Sequence, residues 1–134
     1  MNIQYVPIEW VNQTWPKVEG FIASALEHAQ GDYTLDQVKT LVTQGNWMLL
    51  VAVDGDEIKG AGTINFYNRP NDRVAFISTI GGRLISSTDT FEQLRAFALS
   101  HGATVIEGAA RESIARLWTR YGFTEKHRIV GVKL

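Results

Sequence analysis

Apolar residues recur along this chain with two different periods, and the changes of period divide it into elements. From Thr14 onward, Val18, Phe21, Ile22, Ala25 and Leu26 follow the i, i+3, i+4, i+7, i+8 spacing of a helix with one apolar stripe. Thr14 supplies a capping hydroxyl and Pro16 falls in the first turn, where a missing N–H costs little. A second helix is expected from Thr34, with Gln37 three residues on as a capping box. Leu35, Val38, Leu41 and Val42 form its inner face, and Gly45 stops it.

The period then shortens. Met48 to Val53 is a continuous apolar run of strand length, Asp54-Gly55 is a hairpin turn signal, and Ile58 to Tyr67 is the return strand. "NRPND" reads as a loop, because proline and asparagine interrupt a ladder. Val74 to Ile80 is a third strand. A third helix is expected near Asp89, with Glu92 as its capping-box partner. Phe91, Leu94, Phe97 and Ala98 pack inward and Gly102 ends it. Val105 to Glu107 is a short strand. A last helix starts at Ser113, carries Ile114, Leu117, Trp118 and Tyr121 on one stripe, and stops at Gly122. Ile129 to Leu134 alternates enough for a final strand. This order predicts an α/β (α+β) fold: a mixed, mostly antiparallel sheet with about four helices on both faces.

Composition narrows the classes. At 134 residues the chain is expected to be one domain, residues 1–134, large enough to bury a core. With 45% hydrophobic and 20% charged residues, long disorder is not expected. The net charge of −1, without a Lys/Arg run, disfavours nucleic acid and anionic membranes as partners. The absence of cysteine excludes disulfides, thiol catalysis and Cys-zinc sites. The start lacks a leader pattern, and no apolar run approaches the ~18 residues of a span, so a cytoplasmic location is expected. His28, His101 and His127 lack metal-ligand spacing and read as structural; no metal site is expected. Asp54, Asp56 and Glu57 read as a solvated turn. Trp10, Trp15 and Trp47 would suggest a partner surface if exposed together.

The element order, together with "IEGAARESIARLWTRYGF" near the end, resembles the GNAT superfamily of acyl-CoA N-acyltransferases. The likeness runs from about Trp10 to Leu134. With "IGG" after the third strand, it is closest to small GNAT-like proteins carried by phages and prophages, some relatives of which are virion components. The resemblance implies acetyl-CoA as co-substrate and a small-molecule or protein amine as acceptor. It implies that backbone at Thr79 and Ile80 aligns the pantetheine, while Gly81, Gly82 and Arg83 position the phosphates. Arg111 and Trp118 fall at family positions on the last helix, Arg111 where an Asn is common and Trp118 where a tyrosine acid often stands. Tyr121 lies three residues on as the remaining acid candidate, or as core.

Glu107, after the short strand, is a base with a pKa raised by burial, the ion-pair partner of Arg111, or a plainly exposed carboxylate. The phosphate loop departs from the family pattern. Its glycines come early, and Asp89 with Glu92 would occupy the helix amides beside an anion. Two readings follow: an acetyl-CoA-dependent N-acetyltransferase, for which the resemblance implies a homodimer, or a non-catalytic GNAT-like protein that meets phage structural proteins.

Overall fold

A computed structural model describes residues 1–28 and 31–134. The elements run β1 (Asn2–Val6), α1 (Ile8–Leu26), α2 (Leu35–Thr43), β2 (Met48–Asp54), β3 (Glu57–Asn68), β4 (Arg73–Gly82), α3 (Thr88–Ser100), β5 (Val105–Gly108) and α4 (Glu112–Trp118), which ends in a 3₁₀ turn, Thr119–Tyr121. The strands lie side by side in chain order. The first three neighbour pairs are antiparallel, and β4 with β5 is parallel. The expected α/β architecture, a mixed and mostly antiparallel sheet with helices on both faces, is the one observed.

Alternation along the strands builds two cores, one on each face. Leu49, Val51 and Ala61 point to one side and pack under Val11, Trp15, Val18 and Ile22 of α1 and Val38 and Val42 of α2. Leu50, Ala52, Ile64, Ala75 and Ile77 point to the other side. They meet Leu94 and Ala98 of α3 and Trp118 of α4.

Three boundaries differ from the sequence reading. Helix α1 begins at Ile8, and Pro16 lies inside it rather than in its first turn. An interior proline costs about 3 kcal/mol. The buried stripe of Val11, Trp15, Val18 and Ile22 outweighs that, at about 1.5–3 kcal/mol for each large apolar side chain. Strand β1 was not expected, because its few residues gain stability only by pairing with Leu49–Val53. Gln93 of α3 supports it by accepting from the Ile3 amide (2.7 Å) and donating to the Met1 carbonyl (2.9 Å). The final strand expected at Ile129–Leu134 does not form. That segment has no regular structure, and Ile129, Val130, Val132 and Leu134 are exposed.

The capping box of α2 is as expected, with Gln37 N–H donating to Thr34 Oγ1 at 3.2 Å. That of α3 is not the Asp89–Glu92 pair. Ser87 caps, and Thr90 is its partner. Asp89 instead accepts from Gln93 (3.0 Å), and Glu92 pairs loosely with Arg95 (3.9 Å). A hydroxyl three residues after the cap competes for the same amides, and here it wins. Among the described residues no helix is long and apolar enough to cross a membrane.

Candidate functional site

The sheet is interrupted at one place. Thr63 pairs with Thr79 but Ile64 pairs with Ile77, so Ser78 is an extra residue in β4. Such a bulge turns two successive side chains toward one face. Ser78 and Thr79 accordingly both reach Thr63, with oxygen separations of 2.8 and 2.7 Å. Thr63 and Thr79 are buried. Thr63 has one proton, so it donates to at most one of these neighbours and accepts from the other or from both. The bulge also coincides with an opening of the sheet. The β4–β5 pairing ends at Ile77–Gly108, while β4 continues through Ser78 to Gly82 without a β5 partner among the described residues.

Beside this opening is a cavity of about 240 Å³ lined by Tyr33, Trp47, Asn65, Tyr67, Phe76 and Ser78. Alternation places Asn65 and Tyr67 on one face of β3, and Phe76 sits opposite Asn65 on β4. Tyr33, just before α2, meets Trp47 edge to face at 4.9 Å. Tyr67 and Phe76 are tilted at 6.4 Å. The Asn65 Oδ1 atom is buried without a hydrogen-bond partner.

Glu107 sits in register with Phe76, on the same face. Its partners are not Arg111. Arg69 Nη1 donates to Oε2 at 2.9 Å, Nη2 donates to Oε1, and Lys126 donates to Oε2 at 2.8 Å. The Arg69 hydrogen bonds hold the Glu107 carboxyl below its usual range, outweighing burial, and Lys126 lowers it further. The Arg69 guanidinium is correspondingly raised, mainly by Glu107. The expected upward shift is thus reversed, because two cations stabilise the ionised form. Arg69 also donates to the Tyr67 hydroxyl (3.1 Å) and lies over that ring at 5.6 Å.

The remaining candidate residues lie elsewhere. Tyr121 stacks on Phe91 at 5.2 Å, and Trp118 is buried against Phe123 and Gly108. Both belong to the α3/α4 face, across the sheet from Glu107. Arg111 caps α4 with its backbone in extended conformation and is exposed. Thr79 and Ile80 lie on the β4 segment beyond the last β5 pair. Gly81 and Gly82 are closed in by their own chain. A Cβ on Gly81 would come within 2.3 Å of the Phe21 carbonyl oxygen, and Gly82 has φ +63 with Lys59 O at 2.6 Å from its would-be Cβ. The Arg83 amide donates to Lys59 O (3.0 Å), and the Ser86 and Ser87 amides both donate to Thr90 Oγ1 (3.1 Å).

Sequence reasoning missed Tyr33, Asn65, Arg69, Tyr67, Phe76 and Ser78 as site residues. The available signal was Asn65, a polar residue amid the apolar run of β3. The tryptophans do not form a shared surface, since Trp15 and Trp47 are buried and Trp10 alone is exposed. Among the described residues no group of three metal-ligating side chains forms.

No protein-family model matches the chain, and no curated protein sequence does either. Solved structures do resemble it. One is the tetramutant of the BH1408 protein from Bacillus halodurans, 15% identical, covering 100% of both chains with a TM-score of 0.71. A second is the aminoglycoside acetyltransferase meta-AAC0020 from an uncultured soil metagenomic sample, in complex with sisomicin. It is 12% identical over 99% of this chain and 94% of its own, with a TM-score of 0.69. A third is a predicted acetyltransferase with acetyl-CoA from Clostridium acetobutylicum, 12% identical over 98% and 95%, with a TM-score of 0.65. At these identities the likeness establishes the fold, which is GNAT-like.

Proposed function

We propose that this chain is an acyl-CoA-dependent N-acyltransferase that moves an acetyl group onto a small amine. One observation carries the reading. The opening of the sheet past Ile77–Gly108 and the aromatic cavity share Ser78, so a thioester at the opening and an amine in the cavity would be neighbours. The acetyltransferases of like fold support it.

Along the edge of β4 from Ser78 to Ile80, which has no β5 partner among the described residues, the backbone N–H and C=O groups that point away from β3 are open. These suit the amides of a pantetheine arm laid alongside as an added strand. The fit is poorer past Ile80. Gly81 and Gly82 touch their own chain, and the Arg83, Ser86 and Ser87 amides already have acceptors. The exposed Arg83 side chain remains as the cation at that end.

In the reaction the amine nitrogen attacks the thioester carbonyl carbon. A C–N bond forms, the C–S bond breaks, one amine proton passes to water, and the thiolate takes up a proton. Holding the two reactants adjacent supplies much of the rate. Glu107, committed to Arg69 and Lys126 with a lowered pKa, fixes the rim of the site rather than acting as base. Tyr121 is across the sheet. Activity should therefore rise with pH as the amine itself loses its proton.

A second reading, a non-catalytic GNAT-like protein acting through partners, is favoured by the self-satisfied amides of Arg83, Ser86 and Ser87. Thermal unfolding separates the two. At about 100 times the dissociation constant, acetyl-CoA should stabilise by about 2.7 kcal/mol, on the order of 5–10 °C at the midpoint. Thiol release during turnover comes solely from CoA, because the chain has no cysteine. An unmoved midpoint at millimolar acetyl-CoA would favour the second reading.

A further inference from the structure

We infer that residues 129–134 become a strand between copies of this chain. The segment of one copy adds to the outer edge of β5 in a second copy, and the second copy returns the exchange, so that a two-fold pair shares completed sheets.

The first observation is the segment itself. Ile129, Val130, Val132 and Leu134 are 84–113% exposed, whereas among the described residues no other large apolar side chain exceeds 53%. Single exposed apolar residues are ordinary, but four within six residues mark a surface that another chain covers. Three of the four are β-branched, the type that suits a strand. Alternation places Val130, Val132 and Leu134 on one side and Ile129, Gly131 and Lys133 on the other.

The second is the difference between the two edges of the sheet. An open edge presents unpaired N–H and C=O groups that template another strand. At β1 the edge is guarded, because Gln93 accepts from the Ile3 amide and donates to the Met1 carbonyl. At β5 it is bare. Its one strand partner is β4, and among the described residues no hydrogen bond outside that ladder reaches the backbone of Val105–Gly108.

The third is why a copy does not fill its own edge. Phe123 is packed on Phe91 and Trp118, and Lys126 donates to Glu107, so the chain is tied down as far as Lys126. Glu107 is the third of the four residues of β5. Ile129 lies three residues beyond Lys126, so an extended chain leaving Glu107 has passed the end of its own β5 in either direction. The apolar run therefore projects past the strand it could cover and is free to reach another copy's. The faces also match. Ile106 and Gly108 belong to the side of β5 that meets Trp118, with Ile106 and Ile114 only partly buried there. Val130, Val132 and Leu134 of the incoming strand extend that core, while Lys133 falls on the side of Glu107, facing a carboxylate.

The test is the mass of the full chain by size exclusion with light scattering over a range of concentrations. It should approach twice the chain mass as concentration rises. Val132→Asp should weaken the pair about a hundredfold, because each of two seats would then bury a carboxylate. Its melting midpoint at a concentration where both proteins are monomeric should equal that of the unaltered chain, since Val132 is exposed in its own copy. The seat is located by mixing. The chain has no cysteine, so Lys133→Cys carries a single nitroxide. Mixed with unlabelled, ¹⁵N-enriched chain, it should broaden the amide signals of Val105–Gly108 and leave those of Asn2–Val6 sharp.

A monomer at every concentration would overturn the inference, as would a pair that withstands Val132→Asp. Broadening at Asn2–Val6, or confined to residues 129–134 of the enriched copy, would overturn the seat on β5. Amides of β5 protected from exchange equally in the monomer would show that each copy's segment folds onto its own edge, which overturns the exchange.

Discussion

Two stretches of β4 lie next to each other and behave in opposite ways. At Gly81–Gly82 the residues look made for a ligand, yet the backbone of α1 at Phe21 and of β3 at Lys59 fills the space a side chain would take. At Phe76 and Ser78 the residues look ordinary, yet they border a cavity and an opening in the sheet. A glycine reports that something approaches closely. It does not report whether the approaching group is a ligand or the protein itself. A bulge reports nothing until two strands are paired, because it is a mismatch between them.

The sharpest way to break this comparison is Gly81→Ala. The added methyl would sit 2.3 Å from the Phe21 carbonyl oxygen, on backbone that cannot swing away. The expected loss is about 3 kcal/mol, the upper end for overpacking, read by urea denaturation. A loss below about 0.5 kcal/mol, typical of free surface positions, would mean that the turn faces open space and is available to a phosphate after all.

Thr63→Val sharpens the other side. It keeps the shape and removes the hydroxyl that joins Ser78 to Thr79. Stability should fall by about 1–2 kcal/mol, because two partly buried hydroxyls lose their shared partner. If the KM for the amine acceptor also rises while affinity for acetyl-CoA holds, the hydroxyl chain belongs to the cavity wall. Unchanged stability would mean that water replaces Thr63 without cost.

Glu107→Gln should have the smallest effect at neutral pH, about 1 kcal/mol or less, since both cations keep partial contact with solvent. Its signature is in the pH dependence. The folded pKa is lowered below 4.5, so on acidification the unfolded chain takes up the proton first. The stabilisation is complete above about 4.5 and is lost as pH falls through the folded value. Melting midpoints of the native protein should decline in that window by more than those of Glu107→Gln. Parallel curves would show that the Arg69–Glu107 pair contributes nothing to folding.

The helix α2 was legible because its determinants are local. Thr34, Gln37 and the stripe through Val38 and Val42 act within a few residues of one another. So was the β2–β3 hairpin, set by Asp54-Gly55 and the apolar runs on either side. Helix α1 was legible in type and not in extent, because Pro16 has the same identity at a helix start and inside one; packing of Val11 and Trp15 decides between them. The cap of α3 misled because Asp89–Glu92 and Ser87–Thr90 are both sound local patterns. The chosen one lets Thr90 satisfy the amides of Ser86 and Ser87 as well.

The sequence by itself determined the order and kind of most elements, and through them the fold class, because hydrophobic period and turn chemistry are properties of neighbours along the chain. Tertiary structure alone decided the site. Tyr33, Asn65 and Ser78 are far apart in sequence, and only strand register and the bulge at Ser78 bring them to one cavity. The same holds for Glu107, whose pKa direction depends on Arg69 and Lys126 rather than on the nearby Arg111. Electrostatic and hydrogen-bond partners are fixed by distance in space, which the spacing of residues along a chain does not contain.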